Sequence, residues 1–294
     1  MRRPDPSRQP NMMHRSLRPF LLTAVLMISC VIATGASAKP LRILLTNDDG
    51  YLAPGIRAMR TTLLDAGHQV FLIAPESNQS GSGTSISPQG IMVQSHGHGV
   101  WSVEGRPADA VRYALGHLMK DAPPDLVISG INFGQNVGAD VMVSGTVGAA
   151  VTAVLQGFPA IAISAEIKLP ELESQFPSTV LALPKAAQFL TDQLEKGVLP
   201  SAGELINLNF PATQKPKGVR QASLAESSIL GSDYAETADG KWRAGYATGV
   251  KDAASSDRSL LSNEFITVTP LRASFFQSAP SQATKDAISR MVTE

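Results

Sequence analysis

The residues most able to do chemistry are two adjacent aspartates. Asn47-Asp48-Asp49-Gly50 follows an unbroken apolar run, Leu41 to Thr46. Two carboxylates that close are tolerated only if a cation neutralises them or one takes up a proton. A lone Asp-Asp-Gly is more often an acidic turn that caps the next helix. Here two further polar clusters also follow apolar runs: Asn78-Gln79-Ser80-Gly81 and Asn132 to Gly138. Carboxylate, hydroxyl and amide oxygens gathered together suit one hard divalent cation, Mg²⁺ or Mn²⁺. Ser80-Gly81-Ser82-Gly83 can also offer backbone N–H groups to an anion. Ser144-Gly145-Thr146 opens a helical stretch of small residues. Free N–H groups and the helix dipole favour phosphate there, while the plainer role is N-capping by Ser144.

Several other chemistries lack their residues. The Gly/Ser loop has no Gly-Lys-Ser/Thr and is not a Walker loop. Neither His-Glu-x-x-His nor Gly-x-Ser-x-Gly occurs. His96 and His98 flank an expected hairpin tip and read as solvent-facing. A haloacid-dehalogenase-type phosphatase needs an aspartyl nucleophile in Asp-x-Asp after the first strand, and Asn47 holds that place.

The elements that must position these clusters alternate. Leu41–Thr46, Val70–Ala74, Asp125–Ser129, Ala160–Ser164 and Leu205–Phe210 read as buried strands. Helical spacing follows Pro54-Gly55 up to Gly67, and recurs over Pro107–Lys120, Ser144–Gln156 and Thr179–Lys196, with Pro184 as a start or kink. Ile91–Val103 reads as a hairpin around Gly97-His98-Gly99. This order predicts an α/β fold, a Rossmann-like doubly wound, mostly parallel sheet. In such a sheet ligands bind beyond the carboxyl ends of the strands, where all three clusters fall. Residues 225–262 have no clear period, Phe265–Leu271 reads as a strand and Asp286–Val292 as a terminal helix.

Composition narrows the partners. The chain has 294 residues, 43% hydrophobic and 17% charged, with a net charge of +0. That excludes general disorder and a nucleic-acid duplex binder working through bulk positive charge. Five arginines and one acid lie in the first 38 residues, leaving 20 basic against 24 acidic groups beyond them. Arg15 and Arg18 precede an uncharged apolar run of 14 residues, Phe20–Ala33, and then the small-x-small site Ala36-Ser37-Ala38. This is the pattern of a cleaved export signal over residues 1–38. The run is shorter than the roughly 20 residues that span a bilayer, so no membrane span is expected after cleavage. Cys30 offers a lipoprotein alternative, but Met27 and Ile28 fit a lipidation box poorly. Met12 or Met13 is an alternative start to Met1. Cys30 is the only cysteine, so the cleaved chain has no thiolate, disulfide or cysteine–zinc chemistry.

Leu-Leu-Thr-Asn-Asp-Asp-Gly50, Ala-Pro-Gly-Ile56, Ala-Pro-Glu-Ser-Asn-Gln-Ser-Gly81, Ser-Gly-Ile-Asn132-x-Gly-x-Asn136-x-Gly138 and Ser144-Gly-Thr-Val-Gly-Ala-Ala150 together resemble the SurE survival-protein family. The resemblance runs from about Leu41 to Phe210 and resumes near Thr267–Leu271. It implies a metal-dependent 5′/3′-nucleotidase, a phosphoric monoester hydrolase acting on nucleoside monophosphates and, in some members, on short polyphosphate. It implies that Asp48, Asp49, Ser80 and Asn132 hold the divalent metal. It also implies a C-terminal hairpin and helix used in dimerisation, hence a homodimer or homotetramer. On this reading Asp48 or Asp49 acts on the attacking water, and Asn136, Ser144, Gly145 and Thr146 meet the substrate phosphate. Residues 39–294 then form one nucleotidase domain whose region 220–294 is divergent. Gly105-Arg106-Pro107-Ala108-Asp109 departs from the family's Gly-Thr-Pro-x-Asp, and the acidic residue common after Ser-Gly-Thr-Val is absent. Relatives are mostly cytoplasmic, which makes the cytoplasm the alternative to a periplasmic or secreted location. An exported, non-catalytic binder of a phosphorylated ligand is the rival function.

The export reading predicts that N-terminal sequencing of protein from the periplasm or medium starts at Lys39. Uncleaved chain confined to the cytoplasm would contradict it.

Overall fold

The computed structural model describes Met1 and residues 39–273, apart from Thr248. The export signal expected over residues 1–38, with its Ala36-Ser37-Ala38 site, and the terminal helix expected over Asp286–Val292 fall outside the described residues apart from Met1.

A continuous apolar run makes a strand only where both faces of the sheet are covered. That is the setting of β1 (Arg42–Thr46), whose last four residues are buried. Five more strands run parallel with it: β2 (Gln69–Pro75), β4 (Val100–Glu104), β5 (Leu126–Phe133), β6 (Ala160–Ala165) and β7 (Leu205–Phe210). Their spatial order is β4-β2-β1-β5-β6-β7, the doubly wound order that reverses beside the first strand. Antiparallel strands finish the edges. β3 (Met92–Gly97) makes the expected hairpin with β4, and β11 (Ile266–Leu271) pairs with β7. β8 (Val219–Gln221) lies parallel to β11 and completes a nine-stranded sheet. β9 (Leu230–Glu236) and β10 (Trp242–Tyr246) form a separate antiparallel ribbon.

Alternation along β1 divides the core into two layers. Ile43 and Leu45 pack with Ile56, Met59 and Leu63 of α1 (Pro54–Asp65) and with Leu183 and Leu190 of α4 (Pro177–Glu195). Leu44 packs on the other face with Val111 of α2 (Pro107–Tyr113) and Val147 and Ala150 of α3 (Gly145–Leu155). Pro184 sits inside α4 and does not end it. α3 starts at Ser144, whose Oγ accepts a 3.1 Å bond from the Val147 N–H. Its small side chains let it lie close to its neighbours. A Cβ on Gly148 would stand 2.0 Å from the Gly83 carbonyl oxygen.

Two expectations need correction. β5 runs on to Phe133, so Asn132 belongs to a strand end and not to the following loop. The stretch without a clear period holds all of β9, β10 and α5 (Asp257–Ser262). Short, solvated strands such as the all-exposed β8 need no hydrophobic alternation, so periodicity misses them. Among the described residues no helix is long and apolar enough to cross a membrane.

The close approach of α3 predicts that Gly148→Ala lowers stability by about 1–3 kcal/mol in urea unfolding. An unchanged midpoint would show that the contact is not required.

Candidate active site

Strand order reverses between β1 and β5, and the chain leaves their ends in opposite directions. A crevice opens at such a point. Asp48 and Asp49 leave the end of β1, and Asn132 stands near the end of β5.

The turn is set by Asn47. Its Nδ2 donates to the Gly50 carbonyl at 2.9 Å, and its Oδ1 accepts from the Gly50 N–H at 3.3 Å. Asp48 is only 3% exposed. Thr146 Oγ1 donates to its Oδ1 at 2.5 Å. Gly145 lets the helix reach this carboxylate, since a Cβ there would lie 2.8 Å from Asp48 Oδ2. Asp49 Oδ2 accepts from the Phe133 N–H at 2.9 Å, and its Oδ1 has a long 3.5 Å contact with Asn78 Nδ2.

An irregularity in β5 serves the same site. The pairing with β6 shifts between Ser129 and Asn132, so β5 carries one extra residue there. The extra residue resets the alternation, and Ile131 joins Leu126 and Ile128 in one core layer. Asn132 then lines the cleft with Asp48 and Ser80. Its Nδ2 donates to the Gly134 carbonyl at 2.6 Å, which leaves the Oδ1 lone pairs free to accept a hydrogen bond or ligate a cation.

The cleft has a volume of about 390 Å³. Asp48, Ser80, Gly81, Asn132, Asn136 and Ser144 line its polar part, and Phe133, Val143, Ile167, Leu169, Ile229 and Leu230 its apolar part. Of the four expected phosphate donors, Asn136 and Ser144 line the cleft. Gly145 and Thr146 are buried outside its lining, and the Thr146 hydroxyl proton goes to Asp48. These two residues seat the carboxylate.

Asn136 is itself held by residues that sequence reasoning missed. Its N–H donates to Asn209 Oδ1 at 2.8 Å, and its carbonyl accepts from Asn207 Nδ2 at 2.8 Å and Asn209 Nδ2 at 3.0 Å. One hydrogen of its own amide goes to Ser164 Oγ at 2.8 Å. A signal for this network was present: Asn207 and Asn209 stand two apart in a buried strand and so share a face.

Burial pushes the Asp48 carboxyl up, against the hydrogen bond from Thr146. Burial, together with the charge of Asp48 beside it, pushes Asp49 up to about 6, against the Phe133 N–H. Among the described residues neither aspartate makes an ion pair, and no three His, Cys, Asp or Glu side chains gather as a metal cluster. Asp48 lines the cleft beside the neutral oxygens of Ser80 and Asn132, while half-buried Asp49 stands next to it outside the lining. A hard divalent cation fits this oxygen set and would offset the cost of burying like charges.

Asp49 binds its proton more tightly in the folded than in the unfolded chain. The metal-free fold is thus penalised once pH rises above the unfolded pKa, with the full penalty above about 6. Asp49→Asn removes the charge and keeps an acceptor for Phe133. In EDTA at pH 7.5 (roughly one unit above the titration range) it should stabilise the protein by about 1–2 kcal/mol. A destabilised variant would contradict the electrostatic account.

Comparison with known proteins gives the chain's family. Residues 43–230 match the model of the family described as Survival protein SurE. The chain is similar to the 5'-nucleotidase SurE of Nitratidesulfovibrio vulgaris (strain DSM 19637 / Miyazaki F), with 39% identity over 79% of this chain and 87% of that protein. It is similar to the 5'-nucleotidase SurE of Desulfitobacterium hafniense (strain DSM 10664 / DCB-2), with 38% identity over 79% of this chain and 90% of that protein. The crystal structure of the SurE protein from Aquifex aeolicus superposes with a TM-score of 0.67 at 25% identity, covering 86% of this chain and 100% of that one. The chain belongs to the SurE family.

Proposed function

We propose that this chain is a divalent-cation-dependent phosphomonoesterase that hydrolyses nucleoside 5′- and 3′-monophosphates to nucleoside and phosphate. The observation that carries this reading is Asp48, buried at the strand-order reversal with Asp49 beside it and lining the cleft with the neutral oxygens of Ser80 and Asn132. The names of the relatives support the substrate class.

Asp48, Asp49, Ser80 and Asn132 would hold the cation. When bound, it supplies a Lewis acid for a phosphate oxygen and makes water acidic enough to attack near neutral pH. The remaining work falls to side chains. Asp48 Oδ1 is committed to Thr146, and Asp49 Oδ2 to the Phe133 N–H. Asp48 Oδ2 and Asp49 Oδ1, the latter with only its long contact to Asn78, are the atoms left to orient the attacking water. The water oxygen bonds to phosphorus as the ester P–O bond breaks, and one proton of the water ends on the leaving oxygen, which departs as the alcohol. The second amide hydrogen of Asn136 and the Ser144 hydroxyl are the donors for charge on the phosphoryl oxygens. The apolar part of the cleft keeps bulk water from that charge.

The basic, apolar and small-x-small pattern of residues 1–38 supports work in the periplasm or outside the cell. Tyr234 and Trp242, 61% and 64% exposed on the β9–β10 ribbon, support a homodimer or homotetramer.

Phosphate release from nucleoside monophosphates by residues 39–294 should vanish in EDTA and return with Mn²⁺ or Mg²⁺. Asp48→Asn should lower kcat by about 10³-fold or more with the circular dichroism spectrum unchanged. Near-normal turnover in that variant would overturn the mechanism.

A further inference from the structure

A second cavity, of about 400 Å³, lies between α1 and the β3–β4 hairpin and shares no lining residue with the cleft. That volume is in the range of small-molecule sites. Arg57 and Arg60 of α1 meet His96 and His98 of the hairpin there. Tyr51, Leu52 and Val100 add aromatic and aliphatic surface.

The hairpin side of this cavity is held in one arrangement. Arg60 Nη2 donates to the His98 carbonyl at 2.8 Å, and the Leu72 N–H donates to the Gly99 carbonyl at 2.8 Å. His98 has a φ of 49°, which a non-glycine residue keeps only where its neighbours hold it. The His96 ring stacks on Tyr51, with centroids 4.7 Å apart and 14° between the planes. His96 Nε2 lies 2.9 Å from Ser102 Oγ, and Nδ1 makes no bond among the described residues. Beyond residue 38 the chain has 20 basic against 24 acidic groups, so this gathering of cationic side chains runs against the overall charge. Among the described residues neither Arg57 nor Arg60 joins an ion pair. Arg60 is half-buried, and its Nε is buried without an acceptor. A guanidinium drawn out of water without a counter-charge favours the binding of an anion.

We propose that this cavity is a second binding site, for a small organic phosphate, with Arg57 and Arg60 holding the phosphate and the Tyr51–His96 stack receiving a flat body. Arg57 and Arg60 are three apart on α1 and so present their guanidiniums on one face. The guanidinium fork matches phosphate oxygens, which favours phosphate over a single carboxylate. A flat ring gains from stacking on an aromatic face. Tyr51 directly follows the Asp48-Asp49-Gly50 turn. An occupant would therefore touch the segment that carries the two carboxylates while standing outside the cleft.

The test is ¹³C NMR of the histidine side chains in EDTA, titrated with AMP, adenosine and inorganic phosphate. His68 and His117 do not line the cavity and serve as controls. AMP should move the His96 and His98 signals saturably and leave the controls in place. Adenosine and inorganic phosphate each lack one half of the ligand and should need about tenfold higher concentration. Arg57 is exposed, so Arg57→Glu should fold, and it should weaken the AMP titration by about tenfold or more. The Asp48→Asn/Asp49→Asn double variant should titrate as the natural chain does. His96 and His98 signals that move no more than the controls would overturn the site. So would an AMP titration unaltered by Arg57→Glu, or one lost in the double aspartate variant, which would place AMP in the cleft. Inorganic phosphate as effective as AMP would overturn the role of the stack.

Discussion

Two carboxylates that follow each other in sequence leave the end of β1 together, Asp48 buried and Asp49 half-buried. Like charges in that position repel and lose hydration, so the fold must supply compensation. Much of the local structure does so. Thr146 gives its proton to Asp48, and Phe133 gives its backbone N–H to Asp49. Gly145 has no side chain to keep helix α3 from Asp48. Asn47 closes the turn from both sides of its amide. None of these partners carries a positive charge. What they provide is a shaped, half-neutral cradle whose oxygens would suit a cation.

The same constraint explains two irregular features. The extra residue in β5 keeps Ile131 in the core and turns the next residue, Asn132, to the cleft. Asn207 and Asn209 place amides in a strand otherwise built for an apolar layer, and both bond the backbone of Asn136. Buried polar groups persist where their hydrogen bonds are made, and here those bonds fix a residue lining the cleft. The apolar wall of the cleft at Ile229 and Leu230 obeys a similar rule. Its position depends on Asp140, in the 3-10 turn Gly138–Met142, and on Asp257, carboxylates satisfied mainly by backbone N–H groups.

The parallel sheet and the place of the site were legible because both depend on strong local signals. Apolar runs ending in Asp48-Asp49, Ser80 and Asn132 state a strand and a polar end in one segment. Ser144 as a helix cap was legible for the same reason. The roles of Gly145 and Thr146 were not, because a residue at a helix start can face a ligand or a neighbouring side chain. Only the tertiary contact with Asp48 decides between them. The 3-10 turn–β9 connection was invisible as well. Asp140 and Ile229 are 89 residues apart, and no periodicity links them. The ribbon and β8 escaped because short solvated strands carry no alternation to read.

The account stands on the Asp48–Asp49 pair being a site for a single cation. The most direct measurement is Mn²⁺ binding followed by electron paramagnetic resonance at neutral pH, on residues 39–294 and on the Asp48→Asn/Asp49→Asn double variant. The account predicts one bound ion per chain in the natural sequence, displaced by Mg²⁺, and none in the variant. Equal binding by both proteins, or hydrolysis by a natural chain that binds no ion, would contradict it.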